Sequence, residues 1–248
     1  WQTVSAADLD GDGDEDLVLG NIGENFYLHP DDKNPVKLWV NDFDKNGSME
    51  KILTRSIEGK DMPVFLKRDL TDQIVSLKKQ NLKYEDFANK SIQQLFSSEI
   101  INTCTVGLFN YTSSCMAINE GEGKFSVKVL PMLMQLSSVN SLLCTDVNGD
   151  GRIDIIGGGN RFDLLPQFGR LDASYGHVLL NKGNAIFEEL SSGKSGLLLN
   201  GEVRDMKEIK VNGGRYLLVL QNNDYPVLYQ LPDNKIREVA NKSLKRDK

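Results

Sequence analysis

The sequence predicts a mainly β fold of about four repeated antiparallel units, interrupted by a two-helix insertion. Two observations carry this prediction. Three acidic loops share one internal spacing, and each is flanked by short apolar runs typical of strands. The first and second loops begin 34 residues apart, which is enough for four short strands and their turns, whereas the third begins 104 residues after the second. That larger gap predicts an insertion.

The three loops place acidic or amide side chains at offsets 1, 3 and 5, glycine at offset 6 and a carboxylate at offset 9. Alternate oxygens around a sharp glycine turn can wrap Ca²⁺, with offset 7 offering its backbone carbonyl. Loop 1 has carboxylates at offsets 1, 3, 5 and 9, so we expect it to bind most tightly. The candidate ligands are Asp8, Asp10, Asp12, Asp14 and Asp16 in loop 1, Asp42, Asp44, Asn46, Ser48 and Glu50 in loop 2, and Asp146, Asn148, Asp150, Arg152 and Asp154 in loop 3.

Two other interpretations of these loops need weighing. An EF-hand requires a bidentate Glu at offset 12 and flanking helices. Offset 12 is Leu19, Leu53 and Gly157 here, and the flanks have strand character, so EF-hands and dockerin repeats do not fit. Polar hairpin turns would also use Asp-Gly. Three matches at the same offsets favour metal, and the prediction is up to three Ca²⁺ ions.

At these residues the chain resembles the FG-GAP/VCBS repeats, which form β-propeller blades in integrin α-subunits and bacterial surface proteins. The resemblance is closest to the large FG-GAP-like surface proteins of Bacteroidetes-type bacteria. It implies about four propeller-type blades within a larger propeller, although a β-sandwich with calcium loops is the rival fold. The motifs carrying it are the loops, the runs Asp16-Leu-Val-Leu-Gly-Asn21 and Asp154-Ile-Ile-Gly-Gly-Gly-Asn160, and the blade endings Leu180-Asn-Lys-Gly-Asn-Ala-Ile-Phe187 and Ile118-Asn-Glu-Gly-Glu-Gly-Lys-Phe125.

The whole chain, 1–248, is predicted to be one propeller-like region of four segments. Apolar residues at helical spacing predict two amphipathic helices within an insertion at about 62–97, which would either cap the fold or dock a partner. The fourth segment lacks the acidic ladder and should bind no metal. A basic tail at 241–248 is expected to fray. The segments are about 1–34, 35–130, 134–190 and 202–240, and the helices about 64–80 and 84–96, joined at 81–83.

The net charge of −6 arises in the loops, which hold 12 of the 35 acidic residues. Three Ca²⁺ would neutralise it, so the acidity does not indicate a cationic partner. The basic residues of the helical segment are balanced by acids, which argues against nucleic acid binding. Three cysteines exclude a disulfide-built scaffold; a Cys104–Cys115 bridge is conceivable, but buried free thiols are favoured. No apolar run is long enough to span a membrane.

The sequence has no Gly-x-Ser-x-Gly elbow, no phosphate loop and no His-Glu-x-x-His helix, which leaves a carboxylate pair for glycoside hydrolysis as the open catalytic alternative. The two histidines, His29 and His177, lie in unrelated sequence contexts, which favours structural roles. The glycine-rich stretch 157–161 lacks the helix and the spacing of a nucleotide-binding loop, so we interpret it as a strand end where blades crowd together. We therefore expect a calcium-binding, non-enzymatic module of a surface, secreted or periplasmic protein that recognises a protein or a glycan. The alternatives are a carbohydrate-active enzyme domain and a structural segment of a larger propeller. We expect the chain to be part of a longer protein.

Overall fold

A computed structural model describes residues 1–80 and 83–232 of the chain. They belong to two compact units: unit 1 comprises Trp1–Tyr27 and the chain from Thr112 onward, and unit 2 comprises Leu28–Tyr111. The predicted basic tail, the end of the fourth predicted segment and most of the predicted helix connection lie outside the described residues.

Unit 1 contains three antiparallel sheets, which we name blades 1 to 3. Blade 1 has the strand order β1-β2-β7-β8, blade 2 the order β12-β11-β10-β9, and blade 3 the order β13-β14-β15. The strands are β1 (Thr3–Ala7), β2 (Asp16–Gly20), β7 (Cys115–Asn119), β8 (Phe125–Val129), β9 (Val139–Thr145), β10 (Asp154–Gly159), β11 (His177–Asn181), β12 (Phe187–Leu190), β13 (Val203–Val211), β14 (Gly214–Gln221) and β15 (Val227–Leu231). Each strand pairs with its neighbour in sequence or across the insertion, which fits propeller-type blades and not a Greek-key sandwich.

Blade 1 is assembled from two distant parts of the chain. Strand β2 pairs with β7, with Leu17 opposite Ala117, so the first sheet is completed only after unit 2 has been traversed. The Gly23 N–H donates to the Thr112 carbonyl (2.9 Å) where the chain leaves and re-enters unit 1. The predicted segment boundaries at 1–34 and 35–130 are therefore wrong. The first segment has no blade ending of its own because 118–125 provides it.

The first strands of the three blades lie side by side, β1 against β9 and β9 against β13. Successive residues of β10 point to opposite faces. Ile155 joins an apolar cluster with Val18 of blade 1, whereas Ile156 joins a second cluster with Val203 and Leu217 of blade 3. Blade 2 is thus covered by apolar side chains on both faces.

Three consecutive glycines in β10 mark the tightest approach between strands. A Cβ on Gly159 would lie 1.4 Å from the Ser138 carbonyl oxygen, and one on Gly158 would lie 3.1 Å from the Val203 side chain. The pairing of β10 with β9 is irregular at Gly158/Gly159. This confirms the prediction of a crowded strand end, since a side chain at Gly159 has no space and one at Gly158 would press on Val203.

Unit 2 contains one sheet of order β5-β4-β3-β6, in which the last strand returns beside the first. This order differs from that of the three blades, so the predicted second blade is a sheet of another connectivity. Its strands are β3 (Val36–Asn41), β4 (Glu50–Ile57), β5 (Lys60–Pro63) and β6 (Thr105–Phe109).

The helical insertion is present between β5 and β6, but its described residues form five short helices and not two. They are α1 (Lys67–Gln73), α2 (Ser76–Gln80), α3 (Tyr84–Ala88), α4 (Ile92–Leu95) and α5 (Ser98–Asn102). Ser91 and Ser97 have extended backbones at the N-caps of α4 and α5, where serine favours a new helix start. The segment at 64–66, predicted as helical, precedes α1. Leu70, Ile74 and Phe87 pack with Trp39 and Ile52 of the sheet, so the helices cap their own sheet.

Blade 3 lacks an acidic loop, as predicted. A short turn joins β13 to β14, with Asn212 and Gly213 both at positive φ (51° and 86°), as a tight hairpin requires. A sixth short helix, α6 (Ser192–Ser195), follows blade 2. None of the three cysteines forms a disulfide bond, and Cys115 is buried. No helix among the described residues is long and apolar enough to cross a membrane.

Candidate metal centres

Loop 1 folds around hydrogen bonds from its backbone to its own carboxylates. Asp8 accepts from the Gly11 N–H (2.7 Å) and the Gly13 N–H (3.1 Å), and Asp12 accepts from the Asp14 N–H (2.8 Å). Gly11 and Gly13 have φ of 90° and 99°, a region that favours glycine. The loop is therefore held in a curved form that turns its acidic side chains toward one another.

Three carboxylates of loop 1 converge. Asp8, Asp10 and Asp16 each offer an oxygen, and these oxygens lie within 4.8 Å of one another. Desolvation, followed by the negative charges of Asp12, Asp16 and Asp8, raises the pKa of Asp10 above its ordinary value. Mutual repulsion of this kind is relieved by a bound cation.

Loop 2 repeats this arrangement on unit 2, between β3 and β4. Asp42, Asp44 and Glu50 bring three oxygens within 4.8 Å. Asp42 accepts from the Asn46 N–H (2.9 Å) and the Gly47 N–H (2.8 Å). One oxygen of Asp44, Oδ1, is buried and accepts no hydrogen bond from the described residues. A buried carboxylate oxygen without a donor is suited to ligate a cation.

Loop 3 has the same backbone pattern with different side-chain pairing. Asp146 accepts from the Gly149 N–H (2.6 Å) and the Gly151 N–H (2.8 Å), as Asp8 does in loop 1. Within the described ranges, three converging carboxylates occur in loops 1 and 2 but not in loop 3. The Arg152 guanidinium instead pairs with Asp150. From the sequence, Arg152 was expected to offer only its backbone carbonyl to an ion. The pairing of its side chain with Asp150 was not predicted.

The carboxylate at offset 9 also connects each loop to its sheet. Asp16 accepts from the backbone N–H groups of Leu9 and Asn119 (2.8 Å each). Asp154 accepts from those of Val147 and Asn181 at the same distances. In loop 2, Glu50 accepts from the Phe43 N–H (2.9 Å). These side chains therefore orient the loops whether or not they also ligate an ion.

Asn119 and Asn181, which the sequence analysis did not single out, hold equivalent positions in blades 1 and 2. Asn119 donates to the Glu15 carbonyl (3.3 Å), and Asn181 donates to the Ile153 carbonyl (3.0 Å). Each also accepts from the glycine two residues later. Both residues could have been found from the sequence, because each is the Asn of a blade-ending motif.

Each loop of unit 1 rests on the following blade. The Leu9 carbonyl of loop 1 accepts from the Asn181 side chain of blade 2 (2.7 Å). The Asp146 carbonyl of loop 3 accepts from the Arg215 side chain of blade 3 (3.0 Å). Arg215 also pairs with Glu208 (2.8 Å), and this hydrogen-bonded guanidinium lowers the pKa of Glu208 to about 2. The loops thus lie at the joints between blades.

A second polar cluster involves His177. Its Nε2 lies 3.1 Å from the Ser174 hydroxyl and its Nδ1 lies 2.8 Å from Glu189. This is the residue order of a nucleophile, a base and an acid. However, Ser174 is 3% exposed and His177 is 7% exposed, so the hydroxyl is enclosed. The cluster joins the start of β11 to β12 and fits a structural histidine.

Comparison with known proteins gives one family. Residues 1–39 match the family model described as FG-GAP repeat. No curated protein and no solved structure matches the chain. The matched stretch spans β1, loop 1, β2 and most of β3, so it supports the repeat type at loop 1.

Proposed function

We propose that this protein is a calcium-binding, non-enzymatic binding or interaction module. The observation that carries the proposal is the convergence of three carboxylate oxygens in each of two separate loops, Asp8, Asp10 and Asp16 in one and Asp42, Asp44 and Glu50 in the other. The FG-GAP match over 1–39 supports it, since the match covers loop 1. The ion would neutralise and fix the loops and would take no part in a reaction.

Calcium suits these loops better than other common ions. Their ligands are carboxylate, amide and carbonyl oxygens, which hard cations prefer, and a flexible loop fits the six to eight ligands of Ca²⁺ better than the strict octahedron of Mg²⁺. If Ca²⁺ exceeds the dissociation constant about tenfold, each site adds about 1.4 kcal/mol of stability. Extracellular Ca²⁺ would fill sites with dissociation constants of about 10⁻⁴ M, which favours a secreted, surface or periplasmic location.

The recognition surface is proposed to lie on the blades or on the helical segment of unit 2. That segment buries one apolar side against its own sheet but leaves other apolar side chains in solvent. Leu66, Val75 and Tyr84 are all more than half exposed. Leu66 and Tyr84 also border a cleft of about 360 Å³, and the Lys67 amine lies 4.9 Å from the Tyr84 ring centroid. Exposed amphipathic aromatic residues are common in protein interfaces.

A second candidate function is that of a structural segment within a larger propeller and a longer chain. The specific observation in its favour is the burial of the helical segment, whose residues Leu70, Ile74 and Ile92 are completely enclosed. A segment that caps its own sheet needs no partner. Under this proposal calcium would have the same stabilising role, and no ligand would be captured by the chain itself.

A glycan-array and pull-down screen of the 248-residue chain, with Ca²⁺ and with chelator, separates these proposals. Calcium-dependent capture of a protein or glycan, lost in the Asp10→Ala/Asp44→Ala variant, supports the binding module. Absence of capture under both conditions supports the structural segment. Turnover of a captured polysaccharide would contradict both and favour an enzyme.

A further inference from the structure

Arg152 makes loop 3 chemically different from the other two loops. The equivalent residue at offset 7 is Asp14 in loop 1 and Ser48 in loop 2. Neither of these brings a positive charge into its loop. The Arg152 side chain lies within loop 3, where one guanidinium nitrogen donates to Asp150 and Nε donates to the Asn181 carbonyl (2.7 Å).

The side chains at offsets 3 and 5 of loop 3 also contact each other. The Asn148 amide nitrogen donates to the Asp150 carboxylate (3.3 Å), which the carboxylate of Asp10 in loop 1 cannot do. The residues at offsets 3 and 5, which should face an ion, therefore face each other and a guanidinium.

We propose that the Arg152 guanidinium replaces the cation of loop 3, so that the chain binds two calcium ions and not three. Arginine is always charged and donates in a fixed planar fork, so it can neutralise Asp150 and hold the loop without a metal. An entering Ca²⁺ would be repelled by that charge and would have to displace it from Asp150. This inference rests on the proposed calcium function of loops 1 and 2.

If Arg152 replaces the ion, the joint between blades 2 and 3 does not need calcium. Loop 3 lies between blades 2 and 3, where Arg215 of blade 3 donates to the Asp146 carbonyl, and Arg152 ties the loop to Asn181 within blade 2. This joint would hold its geometry at any calcium concentration. Loop 1 and loop 2, which have no arginine at offset 7, would depend on the ion.

The test is the calcium stoichiometry of the full 248-residue chain, measured by isothermal titration calorimetry and native mass spectrometry. We expect two ions for the unmodified chain and three for Arg152→Ser, which copies Ser48 of loop 2. The new site should have a dissociation constant of about 10⁻³ M or tighter. The matched control is Arg161→Ser. Arg161 follows β10 and pairs with Asp163 outside the three loops, so this variant should still bind two ions.

Three ions in the unmodified chain would overturn the inference, and so would two ions in a folded Arg152→Ser variant. If that variant does not fold, Asp146→Asn/Asp150→Asn replaces it: an unchanged count supports the inference, and loss of one ion overturns it. The proposed function fails separately, when Asp10→Ala and Asp44→Ala each leave the number of bound ions unchanged.

Discussion

Asp16 and Asp154 show how one residue can serve both the loop and the sheet. Each was predicted as a metal ligand from its position at offset 9, and each accepts two backbone hydrogen bonds, one from its loop and one from an asparagine in the next strand of its blade. Sequence spacing indicates the oxygen at this position. It does not indicate the second acceptor role, because the partner strand of Asp16 lies about a hundred residues further along the chain.

Substitution of Asp16 by Ala should destabilise unit 1 by about 2–4 kcal/mol, because two buried N–H groups lose their acceptor. Chemical denaturation in chelator, which removes any contribution of metal, measures this effect. Glu15→Ala is the matched control: its side chain is exposed in the same loop, and its change should stay within about 0.5 kcal/mol. Equal effects of the two substitutions would contradict the assigned role of Asp16.

Glu208 should give acid-dependent stability to the joint between loop 3 and blade 3. Its folded pKa of about 2 lies below the ordinary 4.5, so its contribution is complete above pH 4.5 and is lost as the pH falls toward 2. Glu208→Gln should therefore be less stable than the unmodified chain at pH 7, by about 1.5–3 kcal/mol, and the difference should shrink by pH 3.

Denaturation of both chains at pH 7, 4.5 and 3 checks this, and the comparison cancels the titration of the loop carboxylates. Glu188→Gln provides the control, since Glu188 also has a pKa lowered by its hydrogen bond with Lys182 but is exposed. It should have little effect at any of the three pH values. A stability difference for Glu208→Gln that grows toward acid would have the wrong sign for this account.

At the scale of the element, strand β10 packs so closely against its neighbours that its glycines leave little space for a side chain. Gly159→Ala should destabilise unit 1 by about 3 kcal/mol or more, because the new Cβ would meet the Ser138 carbonyl and the backbones would have to separate. Gly193→Ala in α6 is the control, with open space around its Cβ and an expected change near zero. Thermal denaturation of both variants gives the comparison. Full stability of Gly159→Ala would mean that β9 and β10 are not packed as described.

The elements were predictable where the sequence pattern was local. The loops, their flanking strands and the plain hairpin at Asn212 and Gly213 follow from turn chemistry and alternation. The helical segment was recognised from apolar spacing, but the division of its described residues into five helices was not. That division depends on the serine N-caps at Ser91 and Ser97 and on packing against Trp39. The spacing of apolar residues gives no information about either.

At the scale of the whole molecule, the insertion of unit 2 in the sequence between strands β2 and β7 of blade 1 was not predicted. Sequence repeats were assumed to be contiguous, and only the pairing of β2 with β7 shows otherwise. The missing clue was the absence of a blade ending before Asp42. Loop 3 shows a limit of the loop spacing itself. The spacing predicted a third ion site but could not indicate that the Arg152 side chain pairs with Asp150.

Unit 2 should be removable without unfolding unit 1. The two ends of the surrounding chain are already joined by the hydrogen bond from Gly23 to Thr112, so a short Gly-Ser linker in place of 28–111 can close the gap. We expect the shortened chain to keep its β-sheet circular dichroism and a cooperative transition. Loss of cooperative unfolding would show that blade 1 requires unit 2.

The dependence of thermal unfolding on Ca²⁺ shows whether loops 1 and 2 bind and require the ion. The 248-residue chain and its Asp10→Ala/Asp44→Ala variant are melted in 1 mM Ca²⁺ and in chelator. For about 1.4 kcal/mol per site, calcium should raise the melting temperature of the unmodified chain by about 3 °C or more. The variant should melt at the same temperature under both conditions. An unmodified chain whose melting temperature is the same in calcium and in chelator would contradict the account.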